Sequence, residues 1–387
     1  MTLIADPLYL APQSNSELNL DQTIDRRSDI LAKQGRVAGL LQELGCEGLL
    51  LLEPENLAWL TSGATVRGVL DPQEMPSLFL TPEQRWLMCS NADTQRFFDE
   101  ELDGLGFQLK EWPWHWGREQ LLLDLTHGRK IAADRPFAEC KFAGDHLLEM
   151  RRSLSLYEQA CLRVLGQLVS HAVEATCRTM NAGETERQVA AQVSHRMLNR
   201  GVFPVSLGVA ADGRSGIYRQ FGFTPTPVNK FAVVQAVGRK YGLCAMASRT
   251  VSFGPPEEAL RRGHDAAIKV SATYVASSWS DALPREILTA GRRIYQLTGF
   301  EHDWMLCPQG HVTGRLPVEL LITPTTDELL QPAWVITWRA TAGPGVCCDT
   351  YLLADTGPEL VTPTEAWPLK KIRVQGAEFL LPDVMVR

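Results

Sequence analysis

The sequence predicts an α+β protein in which a small α/β domain precedes a larger domain built on a mostly antiparallel sheet. Three observations carry this prediction. The chain has 387 residues, of which 45% are apolar and 21% charged. This composition is typical of globular proteins, and the length exceeds the ~250–300 residues that usually share one hydrophobic core. Helical and strand-like runs alternate at the start of the chain, and apolar runs separated by Gly and Pro dominate its second half.

The first domain is predicted over residues 28–150, after a polar arm at residues 1–27. From Arg36 the apolar residues have helical spacing, which stops at Gly45 and is followed by a strand-like run at Gly48–Leu52. Further short apolar runs, separated by helical or turn stretches, complete an α/β unit; they are Leu78–Leu80, Trp86–Cys89 and Lys130–Ala133.

Two capping boxes mark the start of a helical pair. Ser155 with Glu158, and Thr185 with Gln188, have the spacing in which a hydroxyl and the side chain three residues later satisfy each other's backbone N–H groups. Each helix is predicted to end at a glycine, Gly183 or Gly201. Each also carries one apolar stripe, which is typical of helices that cover a sheet; the residues are Leu162, Leu165, Val169 and Ala172, then Val189, Val193 and Met197.

The second domain is predicted over residues 151–387. After Gly201, strand-like runs alternate with Gly/Pro turns, and one further helix is predicted near Glu257–Ser278. The predicted strands are Phe231–Val237, Thr250–Phe253, Val335–Thr337 and Tyr351–Ala354. This pattern favours antiparallel pairing.

Charge and composition exclude several classes of function. A net charge of −7 provides no cationic field for nucleic acid. The longest aliphatic run, Leu49–Leu52, is far too short to span a membrane, and the N-terminus lacks the pattern of a secretory signal. Nine cysteines without CxxC spacing indicate reduced thiols. We therefore expect a cytoplasmic protein.

Three tryptophans lie close together at Trp112, Trp114 and Trp116. They could form a platform for a ligand. Packing at a domain or subunit contact is the more common use of such a cluster, and we predict that role here.

The sequence resembles the pita-bread-fold enzymes, which include methionine aminopeptidases, Xaa-Pro aminopeptidases, prolidases and creatinase. The likeness covers most of the chain: Pro54–Leu60 is similar to a phrase of their N-terminal domain, residues 181–186 are similar to the turn between their first two catalytic-domain helices, and residues 310–314 fit their Gly-His-x-x-Gly phrase. The resemblance implies a creatinase-like N-terminal domain, a pita-bread domain with a curved sheet, and a homodimer.

The resemblance also implies where the family's site residues fall. Among the five positions where the family binds two metal ions, His311 keeps the expected residue, and the four carboxylate positions hold Gln235, Met246, Arg339 and Cys348. The family's substrate-facing histidine falls on Tyr218 and its second pocket histidine on Val318.

These residue types do not suit a two-metal site. An amide is a weak ligand, a thioether is ignored by hard cations, and a guanidinium repels them. We therefore expect no metal and no other cofactor. A pocket that has lost four anions and gained a cation should instead bind a small carboxylate-bearing molecule or a peptide terminus. Alternatively, Arg339 pairs with Glu319 or Asp349 and simply fills the space.

Other functions remain open from the residues alone. A metal-free, creatinase-like hydrolase of a C–N bond could use His311 and Glu319 as its catalytic acid/base pair. The Cys347-Cys348 pair next to Asp349 could provide a thiol nucleophile activated by His311, or Cys348 could bind zinc with His311 and Cys307. An active metalloaminopeptidase would require a different placement of the four substituted positions. The favoured hypothesis is a non-catalytic, peptidase-like protein.

Overall fold

The computed structural model describes residues 25–65, 69, 71 and 74–387, so nearly all of the predicted arm lies outside the described residues. The N-terminal part consists of helices α1 (Arg26–Leu44), α2 (Pro54–Leu60), α3 (Thr94–Phe97), α4 (Glu119–Thr126) and α5 (Gly144–Arg152), a π-helical turn (Phe98–Leu102), and strands β1 (Gly48–Leu51), β2 (Ser77–Leu80), β3 (Arg85–Ser90), β4 (Gln108–Trp112), β5 (Ile131–Ala133) and β6 (Lys141–Phe142). The strands form one mixed sheet in the order β4-β3-β2-β1-β5-β6, with β1 antiparallel to β2 and parallel to β5.

Helix α1 begins ten residues before the predicted Arg36. Asp25 caps it by accepting a hydrogen bond from the Arg27 amide. The buried stripe then passes through two polar residues, Lys33 and Gln34, which are 2% and 7% exposed. Because these residues interrupt the apolar spacing, the sequence pattern hides the first half of the helix.

The C-terminal part begins with the predicted helical pair. Its elements are helices α6 (Leu156–Thr179), α7 (Glu186–Leu198), α8 (Glu258–Ser277) and α9 (Pro284–Thr298), short 3₁₀ turns at Arg214–Gly216 and Asp303–Met305, and strands β7 (Phe203–Ala211), β8 (Phe231–Lys240), β9 (Leu243–Ser252), β10 (Gly310–Thr313), β11 (Leu320–Leu321), β12 (Val335–Ala342), β13 (Gly345–Ala354), β14 (Gly357–Leu360), β15 (Leu369–Val374), β16 (Ala377–Pro382) and β17 (Met385–Val386). Both predicted capping boxes are confirmed, at Ser155 and Thr185. Helix α6 ends at Thr179, four residues before the predicted Gly183.

Two sheets form the centre of this part, in the orders β17-β9-β8-β7 and β11-β10-β12-β13-β14, and β15 pairs with β16 beside them. The long pairings β7 with β8, β8 with β9 and β12 with β13 are antiparallel, as predicted. Helices α6 and α7 bury their stripes against the first sheet, and α8 and α9 contribute to a second core with β12 and β13. Strand β7, helix α9 and the β15–β16 hairpin are elements that the sequence pattern did not reveal.

Buried charges join the N-terminal part to the C-terminal part. Lys33 on α1 lies 2.6 Å from Asp29 and also contacts Glu158 at the start of α6, and Arg315 contacts the same Glu158. All four residues are less than 10% exposed. At this junction, two basic and two acidic side chains are therefore paired with one another, as burial of charged groups requires.

The tryptophan cluster is divided between the interior and the surface. Trp112 is buried and donates a hydrogen bond to Glu74 at 2.7 Å, whereas Trp114 and Trp116 are 68% and 73% exposed. Packing within the chain therefore accounts for Trp112 alone. Among the described helices, none is long and apolar enough to cross a membrane.

Candidate functional site

Two strand pairs turn one face each toward a common site. Gln235 on β8 lies directly opposite Ser248 on β9, and Arg339 on β12 lies directly opposite Cys348 on β13. Directly opposite residues of antiparallel strands share one face of the sheet. The two faces meet where Arg339 Nε donates a hydrogen bond to Gln235 Oε1 at 2.8 Å.

Other contacts bring the remaining predicted residues to the same place. The Thr350 hydroxyl binds both the amide and the carbonyl of Met246 at 2.9 Å, and Met246 and Cys348 belong to one apolar cluster. His311 lies opposite Thr337 on the neighbouring strand. The structure thus groups five of the six predicted pocket residues around Arg339.

Arg339 is the most constrained residue of the site. Its Nη2 donates to the Arg219 carbonyl at 2.6 Å, its Nη1 lies 3.7 Å from Cys307 Sγ, and its guanidinium lies 5.7 Å from the centre of the Phe221 ring. Arg339 is only 7% exposed. Three of its five N–H groups therefore have protein partners, and two remain.

The buried charge of Arg339 has no acidic partner within 4 Å among the residues that the structure describes. The alternative in which Arg339 pairs with Glu319 or Asp349 is therefore wrong, because Glu319 pairs with Arg151 and Asp349 with Arg249. A buried cation without an anion is costly and favours an anionic ligand.

His311 is neutral at neutral pH. Burial and, to a smaller extent, the positive charge of Arg339 together lower the pKa of its imidazole from 6.5 to about 4. No hydrogen bond joins the imidazole to another described residue. His311 therefore offers one donor and one acceptor to a ligand.

Glu319, the predicted catalytic partner of His311, has another role in the structure. Its Oε2 accepts from Arg151 Nε and Nη2 at 3.2 and 2.6 Å, and its Oε1 accepts from the amides of Arg315 and Leu316 at 2.9 and 3.2 Å. Its side chain is 1% exposed. Both carboxylate oxygens are thus occupied, and no carboxylate raises the pKa of His311 as the acid/base hypothesis requires.

Cys348 is equally unsuited to nucleophilic chemistry. Its side chain is fully buried. Burial raises the pKa of its thiol well above the usual range, and the charge of Arg339 offsets only part of that rise. The hypothesis of an activated thiol at this position is not supported.

Tyr218 differs from the other five residues because its side chain is exposed rather than enclosed in the site. It is 53% exposed, and its ring lies 5.0 Å from the Arg214 guanidinium. Its neighbour Arg219 contacts Arg339 instead, through the backbone.

Sequence reasoning missed Arg219, Phe221 and Ser248, and it named Cys307 only as a possible zinc ligand. Arg219 and Phe221 lie on an irregular segment, Cys307 follows a 3₁₀ turn, and Ser248 occupies the strand face next to Gln235. Only Ser248 had a usable signal, since it lies two residues after Met246 on the same strand and therefore on the same face. Contacts between loops have no such periodicity.

A fully buried ion network supports β13 behind Cys348. Arg249 Nε lies 2.9 Å from Glu174, and its Nη1 lies 2.9 Å from Asp349, which also accepts from the Thr362 hydroxyl. The network fixes the backbone that carries Cys348. Arg249 pairs with both carboxylates, and Arg178 lies 3.4 Å from Glu174, so these acids do not serve the site.

The described residues contain no group of three or more His, Cys, Asp or Glu side chains that could hold a metal ion. His311, Cys307 and Cys348 are all described, so they do not form the zinc site considered from the sequence.

Comparisons with known proteins converge on one fold. Residues 160–348 match the model of metallopeptidase family M24. No curated protein matches the chain by sequence. Similar solved structures are the Xaa-Pro dipeptidase from Bacillus anthracis (15% identity, TM-score 0.73, covering 94% of this chain and 100% of that one), the X-Pro aminopeptidase from Thermotoga maritima MSB8 (17%, 0.73, 92% and 99%) and the prolidase from Pyrococcus furiosus (17%, 0.71, 85% and 99%). At these identities the structural likeness shows the fold, and the family match spans every residue of the site.

Proposed function

We propose that the chain, whose residues 160–348 match metallopeptidase family M24 within a pita-bread fold, is a metal-free, non-catalytic relative that binds a small carboxylate-bearing ligand. The single observation that carries the proposal is the buried guanidinium of Arg339, which lies at the centre of the site without an acidic partner among the described residues.

The donor set around Arg339 does not fit a pair of divalent cations. Gln235 Oε1 is already a hydrogen-bond acceptor for Arg339, Met246 offers only a soft thioether, and Cys348 is a buried thiol. Divalent cations of two-metal hydrolases need several carboxylate oxygens. A fixed positive charge among these residues opposes cations further.

The same set fits an anion. The two remaining N–H groups of Arg339 lie one on each terminal nitrogen, and charge-assisted hydrogen bonds from a guanidinium are the strong kind. His311 is neutral and adds a hydrogen-bond donor without placing a second positive charge beside Arg339. A carboxylate bound here would supply the counter-ion that the protein lacks.

A creatinase-like hydrolase is the weaker candidate. It needs a general acid/base with a pKa near the working pH. His311 has a pKa of about 4, and Glu319 is bound to Arg151. We propose no catalytic step for this site.

The experiment is a calorimetric titration of the intact chain with small carboxylates and their matched amides, such as propionate against propionamide. We expect binding of the acids only, and a loss of about ten-fold or more in affinity for Arg339→Ala, because a charge-assisted hydrogen bond contributes about 1.5–3 kcal/mol. Arg339→Lys keeps the charge but not the planar fork, so an intermediate affinity is expected. Equal affinity of acid and amide, or binding that survives in Arg339→Ala, would contradict the proposal.

The family resemblance further leads us to propose a homodimer. Light scattering of the purified chain tests this point, with twice the mass of one chain expected.

A further inference from the structure

Two loops meet at the Arg339 guanidinium. Loop A (residues 217–223) supplies the Arg219 carbonyl, which accepts from Nη2 at 2.6 Å, and loop B (residues 303–307) supplies Cys307 Sγ at 3.7 Å from Nη1. An ion pair of 3.0 Å between Arg219 and Asp303 joins the loops to each other. Asp303 also accepts from the Gly343 amide at 2.7 Å, so both loops are anchored to the turn after β12.

Large apolar side chains project into solvent immediately beside both contacts. Ile217 and Tyr218 precede Arg219 in loop A and are 74% and 53% exposed, and Met305 and Leu306 precede Cys307 in loop B and are 59% and 55% exposed. Single exposed apolar residues are ordinary in proteins. Four of them on two loops that are tied together around a buried cation form an apolar rim, which marks a binding site.

A polar group beside Gln235 also lacks a partner. Ser248 is 3% exposed, and its hydroxyl has no hydrogen-bond partner among the described residues. Ser248 lies directly opposite Gln235, on the face that Gln235 turns toward Arg339. A buried hydroxyl without a partner costs about 1–3 kcal/mol, so a further hydrogen-bond partner for Ser248 would stabilise this side of the site.

We propose that the ligand is a carboxylate of the kind found at a peptide C-terminus or on an acylated amino acid, with an apolar side chain next to the charged group. This inference rests on the proposed function and adds the chemical class of the ligand. The carboxylate binds the two remaining N–H groups of Arg339, and the apolar side chain covers the rim formed by Ile217, Tyr218, Met305 and Leu306. A polar acyl or peptide group completes the hydrogen bonds of Ser248.

The test compares three probes by calorimetry on the full chain: N-acetyl-phenylalanine, its amide, and N-acetyl-serine. We expect the phenylalanine acid to bind at least about ten-fold more tightly than either of the others, because only this probe has both the charge and the apolar group. Ile217→Ser and Met305→Ser should each weaken it by about five-fold. Leu31→Ser is the matched control, since Leu31 is 52% exposed and lies on α1 of the N-terminal part, whereas both loops belong to the C-terminal part, and no change is expected.

The outcomes separate this inference from the proposed function. Equal binding of N-acetyl-phenylalanine and N-acetyl-serine, unaffected by the rim variants but lost in Arg339→Ala, would overturn the apolar class and leave the carboxylate site standing. Failure of both acids would overturn both proposals. If the inference holds, the tripeptide Ala-Ala-Phe distinguishes the sources: at least ten-fold tighter binding than N-acetyl-phenylalanine identifies a peptide C-terminus, and equal affinities identify a free acylated amino acid.

Discussion

Removal of the Glu319 carboxylate is expected to destabilise the protein strongly. In Glu319→Ala, Arg151 keeps only its 2.6 Å hydrogen bond to Asn56 and a 3.9 Å approach to Glu55, while its own side chain stays 7% exposed. Loss of one partner from a buried pair costs about 3–5 kcal/mol. The amides of Arg315 and Leu316 lose their acceptor as well.

Two further variants calibrate this magnitude. Glu319→Gln keeps an acceptor oxygen and the shape, so a loss of about 1–3 kcal/mol is expected. Glu359→Ala is the matched surface control: its carboxylate binds Arg163 at 2.7 and 2.8 Å, but the two side chains are 37% and 41% exposed, and such pairs contribute about 0–1 kcal/mol.

The assay is urea unfolding followed by circular dichroism, with the double variant Arg151→Met/Glu319→Leu added to complete a cycle. We expect the double variant to recover most of the stability that Glu319→Ala loses, because no unpaired charge remains. The reasoning is refuted if Glu319→Ala is as mild as Glu359→Ala. A Glu319→Gln variant that keeps its stability but loses ligand binding would return Glu319 to the site.

Two other predictions concern the site and its support. Arg339→Gln should raise the pKa of His311 above about 4, because the positive charge of Arg339 is one of the two causes that lower it; NMR titration measures this, Arg339→Lys should leave the pKa low, and an unchanged value in Arg339→Gln would contradict it. The pKa of His311 is about 4 in the folded protein and 6.5 in the unfolded chain. His311 therefore lowers the free energy of unfolding as the pH falls from about 6.5 to 4. Gly166→Ala in α6 should lower the unfolding free energy by more than about 3 kcal/mol, because its new Cβ would lie 1.7 Å from the Val361 carbonyl oxygen; thermal unfolding checks this against Gly35→Ala in α1, where nothing lies within 4 Å of the added methyl group and a gain of up to about 1 kcal/mol is expected.

The fold was predictable where local signals are strong. The capping boxes at Ser155 and Thr185 fixed the start of α6 and α7 because both partners of a box lie three residues apart. Boundaries failed where tertiary contacts replace local ones. Helix α1 extends to Arg26 because buried Lys33 finds its anions in Asp29 and in the distant Glu158.

The family resemblance identified the site residues in the sequence, and the structure brings together those that lie on strands. Gln235, Met246, Arg339 and Cys348 come together because strand register fixes which side chains share a face. The partners of a charged residue are not fixed by register. Glu319 lies eight residues from His311 in sequence, yet its carboxylate pairs with Arg151, which comes from α5 of the N-terminal part.

Metal content tests the central claim most directly. The chain is expressed with added manganese, cobalt and zinc, desalted, and analysed beside a functional Xaa-Pro aminopeptidase. Our account predicts fewer than about 0.2 equivalents of any metal, because Arg339 occupies the centre of a site without carboxylate ligands. Retention of one or two equivalents would contradict it and restore a metallohydrolase as the function.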